Sequence, residues 1–344
     1  MSSLFAETRD LLAREGLAPR KRLGQHFLVD RAVVARMVAL AEVGPQDVVL
    51  EIGPGLGALT EALAARAARL YVIECDRGLC QVLQRKFAAE PAVRVIAGDA
   101  LRIDLRDAVA EERVKVVASL PYNVAVPILF RLLDERRVFS DLTVMLQREV
   151  AQRLVAVAGS RAYGVPSALF QLYAQVLGRF RVPPSAFYPR PQVTSEVLRL
   201  RLAVEPRVAV DDPRLFAALV RAAFGQRRKT LRNALQALPA ESALSPAVWD
   251  AIFAATGIDG RARGETLDLV AFAALADAAG RALADAAATG RAPADAAATG
   301  RAPADADAAG RALADAAARG RGASGERPRA AAGAPVRRPR ARPS

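Results

Sequence analysis

The chain has 344 residues, longer than one typical domain, and an apolar share of 52% that can supply a sizeable core. Its formal charge of +13 favours a polyanionic partner over a small neutral one. A single histidine, His26, leaves no His-based metal site, and Cys75 and Cys80 alone form neither a disulfide framework nor a zinc set, so no metal is expected and a reduced compartment suits the chain.

No run of about 18 apolar residues is free of charge or turn signals, and residues 1–7 lack the basic and apolar regions of a signal peptide. The expectation is a cytoplasmic protein with no membrane partner. From Asp277 onward twelve arginines face seven acids, a net of +5 that leaves +8 on the first 276 residues. The basic excess therefore belongs to the folded part as well, which makes nucleic acid the leading partner class.

In chain order, residues 4–17 read as a short helix. A basic arm follows, with Lys21 and Arg22 just before Gly24-Gln25-His26-Phe27-Leu28. Asp30 is placed as an N-cap for an amphipathic helix over residues 31–41. Val48 to Thr60 then reads strand, tight turn, helix: an apolar β-branched run ends in Glu51, and Gly53, Gly55 and Gly57 follow at alternate positions. Further strands are expected over 70–74, 93–97, 114–118 and 142–146. Helices are expected over 77–89, 126–134 and 148–157. Strands alternating with helices imply a parallel, doubly wound sheet, whose ligands sit at the carboxyl ends of the strands.

The strand-end residues therefore belong together. Glu51 and Gly53 close the first strand, Glu74 the second, Asp99 the third and Ser119-Leu120-Pro121-Tyr122 the fourth. Glu74 stands near the spacing at which an acid takes the ribose hydroxyls of an adenosine cofactor, and Asp99 suits the adenine's exocyclic amine. The glycines run G-x-G-x-G rather than G-x-G-x-x-G, and an acid at Glu51 repels a pyrophosphate but suits a cationic ligand. S-adenosylmethionine, a sulfonium with a free amino group, is the better candidate cofactor.

Ser119 to Tyr122 combines a polar side chain, a stiff proline and an aromatic. Two acceptors, the Ser119 hydroxyl and the Leu120 carbonyl, would bind the N–H hydrogens of an adenine N6 and draw its lone pair toward a methyl group. Pro121 holds that carbonyl, and Tyr122 stacks on a base taken out of its helix. The second half begins with a helix expected over 165–177. A proline-punctuated loop, residues 187–195, and a closing strand over 196–202 follow. Helices near 212–224, 227–237, 245–255 and 266–276 make a small helical domain. Arg227, Arg228 and Lys229 with Arg232 form its basic patch, with Arg228 and Arg232 on one helical face as phosphate contacts. From Gly280 a ten-residue Gly-Arg-Ala repeat with Pro293 and Pro303 reads as low-complexity disorder.

Four motifs then resemble the ribosomal RNA adenine dimethyltransferase family. They are Gln25-His26-Phe27-Leu28, Glu51 to Gly57, Leu120-Pro121-Tyr122-Asn123 and Phe187 to Ser195. Phe224 to Asn233 is similar to the bacterial KsgA branch rather than to the Erm resistance methylases. The resemblance implies a Rossmann-like class I S-adenosylmethionine-dependent methyltransferase sheet with a small C-terminal all-α domain and a disordered tail. Residues 1–30 would be the arm, 31–204 the methyltransferase domain, 205–276 the RNA-binding domain and 277–344 the tail. It implies a monomer that dimethylates N6 of two adjacent adenines near the 3′ end of 16S rRNA in the small ribosomal subunit. It places the cofactor against His26, Leu28, Gly53, Glu74, Asp99 and Ser119, and the target base against Ser119, Leu120, Pro121 and Tyr122, with Phe187 stacking on the other face. Ser119 stands where the family usually has asparagine, so its reach is shorter. The alternatives are a ribosome-assembly RNA-binding factor with weak methyl transfer and a methylase of another RNA.

Overall fold

The computed structural model describes residues 3–288, apart from 112 and 227. Helix α1 (Leu4–Arg14) precedes the short strand β1 (Phe27–Leu28) and helix α2 (Arg31–Ala41). The Asp30 carboxylate accepts from the backbone N–H groups of Ala32 and Val33, the orphan donors of the first turn of α2. Then come β2 (Val48–Ile52), α3 (Ala58–Ala64), β3 (Arg69–Glu74), α4 (Arg77–Lys86), β4 (Val93–Ala97) and α5 (Leu105–Val109). The unit continues through β5 (Val114–Ser119), α6 (Ala125–Asp134), β6 (Phe139–Gln147) and α7 (Arg148–Leu154). Asp76 and Asp104 cap α4 and α5 in the way Asp30 caps α2.

The main sheet has seven strands, and β4, β3, β2, β5 and β6 lie side by side in parallel. The chain moves outward from β2 through β3 to β4 and then returns to the far side of β2 as β5, so the order reverses between β2 and β5. Loops diverge there and leave a crevice. One face is covered by Leu129 and Leu132 of α6 and Leu105 of α5, the other by Met37 and Val38 of α2 and Leu63 of α3. Strands buried on both faces read as near-continuous apolar runs, which is why they were legible.

The sheet departs from the all-parallel expectation at its far edge. Helix α8 (Val165–Gln171) ends well before residue 177, and residues 174–182 form strand β7 (Ala174–Val182). Beyond β8 (Phe187–Tyr188), strand β9 (Ser195–Leu202) inserts antiparallel between β6 and β7. The helical reading of residues 174–177 fails because this is an edge strand, exposed at Gln175, Val176 and Leu177 and bulged between Val176 and Gly178. The bulge blurs the two-residue alternation. A Cβ on Gly178 would stand 2.8 Å from Leu40 Cδ1, so α2 packs directly on that backbone.

The helical domain contains α9 (Pro213–Gly225), α10 (Leu231–Ala234), α11 (Pro246–Thr256) and α12 (Leu269–Ala288). Its core, around Phe216, Trp249 and Phe272, also recruits Tyr163 and Leu169 from before β7. Helix α12 corrects the expected end of the folded part, since it runs through residues 277–288, which were read as tail. Ala279 is buried, Leu283 packs on the core, and the Asp277 carboxylate accepts from the Asp211 N–H at 2.9 Å. An alanine-rich segment is a strong helix former, and the apolar stripe of α12 finds a partner in α9. The remaining tail, residues 289–344, lies outside the described residues. Among those described, no helix is long and apolar enough to cross a membrane.

Arg199 of β9 is buried and pairs with Asp141 of β6 through Nε at 3.2 Å and Nη2 at 3.0 Å, with Glu42 at 2.6 Å on its outer side. Breaking such a pair strands a buried guanidinium. Asp141→Ala is expected to lower unfolding free energy by about 3 kcal/mol in a urea titration, through loss of the β6–β9 clamp.

Candidate active site

The glycine loop after β2 needs its glycines for conformation and for space. Gly53 (φ 71°) donates its N–H to the Ile73 carbonyl at 3.0 Å, and a Cβ on it would stand 3.3 Å from Pro121 Cδ. Gly55 (φ 60°) lies under the Phe27 ring, where a Cβ would come within 2.8 Å of Cδ1. The loop therefore touches both the proline after β5 and the N-terminal arm.

The carboxyl ends of β2, β3, β4 and β5 open on one cleft of about 740 Å³ of empty space, including its mouth. Gly53, Glu74, Asp99, Ser119, Leu120, Pro121, Tyr122, Phe187 and His26 all line it. An adjoining cavity of about 680 Å³ under α1 is lined by Leu28, Glu51 and Lys86, and shares His26, Gly53 and Ser119 with the first. The structure thus brings every expected cofactor and base residue to this cleft or to the cavity beside it. Glu74 is buried and accepts the Asp76 N–H at 2.8 Å, and burial pushes its carboxyl above the ordinary range. Asp99 is exposed at the mouth, with one oxygen accepting the Leu101 N–H at 3.0 Å. Ser119 is half-buried, and Leu120 is buried with its N–H donated to the Met145 carbonyl at 3.2 Å.

Glu51 differs from its sequence reading. It is 1% exposed and accepts a hydrogen bond from the equally buried Thr60 hydroxyl at 2.7 Å. Desolvation raises its pKa from 4.5 to about 8, against the smaller opposing effect of Thr60. Burial thus disfavours the charged form that the sequence reading assigned to Glu51. A cation arriving nearby favours the ionised form and displaces the proton.

The arm closes the cleft through contacts that sequence spacing does not reveal. Arg20 pairs with the buried Asp76 at 2.8 Å, Gln25 Nε2 donates to the same carboxylate at 3.3 Å, and the Gln25 side-chain oxygen accepts the Arg20 N–H at 2.8 Å. Strand β1 pairs antiparallel with β8, Phe27 opposite Tyr188 and Leu28 opposite Phe187. His26 Nδ1–H donates to the Pro189 carbonyl at 2.7 Å, and its ring lies 5.6 Å from that of Tyr122. Phe27, Gln25 and Asp76 were given no role by the sequence. Asp76 carries only the signal of a helix cap, because its partners lie about fifty residues away.

The expected basic residues divide. Lys21 and Arg22 are exposed on a single 3₁₀ turn (Lys21–Leu23) beside the cleft, and the Arg22 carbonyl accepts from Asn123 Nδ2 at 3.2 Å. Arg228 and Lys229 are exposed in the turn between α9 and α10, so Arg228 does not share a helical face with Arg232. The helix starts only at Leu231, after Thr230, and Arg232 pairs with Asp250 at 2.6 Å. Arg227 lies outside the described residues.

With this geometry in hand, the family model described as Ribosomal RNA adenine dimethylase matches residues 16–275. The chain belongs to that family. Ribosomal RNA small subunit methyltransferase A of Geobacter metallireducens is 48% identical over 267 residues, covering 77% of this chain and 96% of that one. Its namesake in Moorella thermoacetica is 46% identical, covering 78% and 95%. Such similarity sets the chain in the bacterial branch of the dimethylases. Two crystal structures share the fold: 23S rRNA methyltransferase ErmE, at 23% identity and TM-score 0.59, covers 74% of this chain and 99% of its own. A dimethyladenosine transferase from Plasmodium falciparum, at 22% and 0.61, covers 73% and 96%. The dimethylase sheet is thus the Rossmann-like sheet of S-adenosylmethionine-dependent methyltransferases, and the glycine cradle and paired acids fit that cofactor.

A carboxyl whose folded pKa is raised stabilises the fold fully below its unfolded value near 4.5, and that contribution is lost as pH rises through about 8. Glu51→Gln removes the titration. The wild-type melting temperature is therefore expected to fall relative to Glu51→Gln between pH 6 and 9, measured by calorimetry across that range.

Proposed function

We propose that the protein transfers methyl groups from S-adenosylmethionine to N6 of two adjacent adenines near the 3′ end of 16S rRNA, as a cytoplasmic monomer acting on the small ribosomal subunit. The observation that carries this reading is the convergence of Glu74, Asp99 and the Ser119–Tyr122 loop on one cleft at the β2–β5 reversal. Glu74 accepts the ribose hydroxyls, and Asp99 accepts from the adenine amine of the cofactor. His26, Leu28 and Gly53 flank its amino-acid end, beside the buried Glu51. When bound, the cofactor supplies an electrophilic methyl group on a cationic sulfur.

The target base enters between Tyr122 and Phe187. The Leu120 carbonyl and the Ser119 hydroxyl accept its two N6 hydrogens, which localises the nitrogen lone pair toward the methyl group. Pro121 stiffens this loop, and Gly53 packs directly against it. The chain's contribution is positioning and electrostatics. The N6–carbon bond forms as the sulfur–methyl bond breaks, the neutral thioether leaves, and the strongly acidic proton of the methylated nitrogen passes to water, so no strong base is required. Lys21, Arg22, Arg228, Lys229 and Arg232 contact rRNA phosphates, with Arg232 exchanging Asp250 for a phosphate.

Ser119 favours a second reading, an assembly factor that binds the subunit and turns over slowly. A hydroxyl offers one short-armed acceptor where an amide reaches further. Incubating the protein with labelled cofactor and small subunits lacking the modification is expected to place label in N6,N6-dimethyladenosine; no label there sinks the first reading. Ser119→Asn is expected to raise the methyl-transfer rate about tenfold, the effect of one better-placed hydrogen bond, with subunit binding unchanged in a filter assay.

A further inference from the structure

Ser195, the first residue of β9, has no role in the function derived above. It is fully buried, and the ladder holds it on both sides, opposite Gln147 of β6 and opposite Val182 of β7. A buried hydroxyl needs a partner. Here the partner is the Tyr122 phenol, 2.6 Å away, a distance at which either oxygen can donate. The contact joins positions 73 residues apart. Tyr122 follows β5, while Ser195 belongs to the strand beyond β6, so the phenol reaches toward a strand two places along the sheet, roughly 10 Å across.

We propose that Ser195 is a positioning residue for methyl transfer, whose hydroxyl fixes the Tyr122 ring as one wall of the base cleft. A tyrosine side chain turns about two torsions only. Its far end is tied to Ser195 and its ring is backed by His26 at 5.6 Å with a 30° tilt. His26 is itself held by the Pro189 carbonyl. The ring is therefore held at its far end by the sheet as well as by the loop that carries it. A base stacked on that ring takes its tilt, and the tilt sets the angle at which N6 meets the methyl group. Angular error of this kind lowers the rate of the chemical step while leaving cofactor binding alone.

The assignment rests on the reading of the cleft as the base site, and the experiment separates the two. Ser195→Ala, Tyr122→Phe and the double variant are compared with the wild type in single-turnover methyl transfer to small subunits lacking the modification. Cofactor affinity is measured by calorimetry, and folding by melting temperature. Ser195→Ala is expected to slow transfer about tenfold with cofactor affinity unchanged. Tyr122→Phe removes the same bond from the loop side and should slow it to a similar degree. The double variant should be no slower than the slower single variant, because both remove one interaction. A wild-type rate in folded Ser195→Ala, or single losses that multiply in the double variant, overturns the Ser195 assignment alone. Should Ser195→Ala fail to fold, a wild-type rate in Tyr122→Phe overturns it equally. Absence of label from the wild type overturns the base-site reading and the assignment with it.

Discussion

The contact on which the cleft depends is the seating of the Phe27 ring on the backbone of Gly55. It requires a residue with no side chain and with a left-handed backbone, because any Cβ at that point would overlap the ring. Once Phe27 is seated, β1 lies along β8, and the arm that carries His26 and Leu28 is stitched to the segment that carries Phe187. One close approach thereby connects the glycine loop, the arm over it and the Phe187 wall of the cleft. The three segments are far apart in the chain, and Phe27, Leu56 and Tyr188, one from each, also share a small apolar cluster.

Around that contact the cleft is built from acids whose ionisation the fold controls. Glu51 and Glu74 are both buried, and desolvation is the largest influence on each. Their neighbours divide by position: Asp76 is held by Arg20 and Gln25 from the arm, while Asp99 stays at the solvent edge. The interior acids are thus poised to respond to a cationic ligand, and the outer one stays hydrated. In a low-dielectric interior a carboxyl carries its charge only when something nearby compensates it.

The Tyr122 side of the cleft is held differently, by hydrogen bonds from three other segments. Ser195, Met145 and the Pro189 carbonyl fix Tyr122, Leu120 and His26 respectively. Each anchor belongs to a different segment, and two of them, Met145 and Ser195, lie in the main sheet. A loop anchored in this way holds its side chains more narrowly than a free one, because strands move less than loops.

Much of this was written locally in the chain. The caps at Asp30 and Asp76, the apolar runs of β2 to β6 and the polar residues at their ends follow from patterns a few residues long. Those patterns determined the alternating strands and helices and pointed to an adenosine-type cofactor with acids at the strand ends as its candidate partners. His26, Leu28 and Phe187 entered only through the family resemblance. The tertiary structure alone decided that β7 and β9 run antiparallel, that α12 continues to Ala288, that Arg228 leaves the helix of Arg232 and that burial raises the pKa of Glu51. It alone paired Ser195 with Tyr122 and the arm with Asp76. The reason is common to all: edge pairing, desolvation and contacts between residues fifty or more apart depend on what surrounds a group in space, and a short stretch of chain carries no record of its distant neighbours.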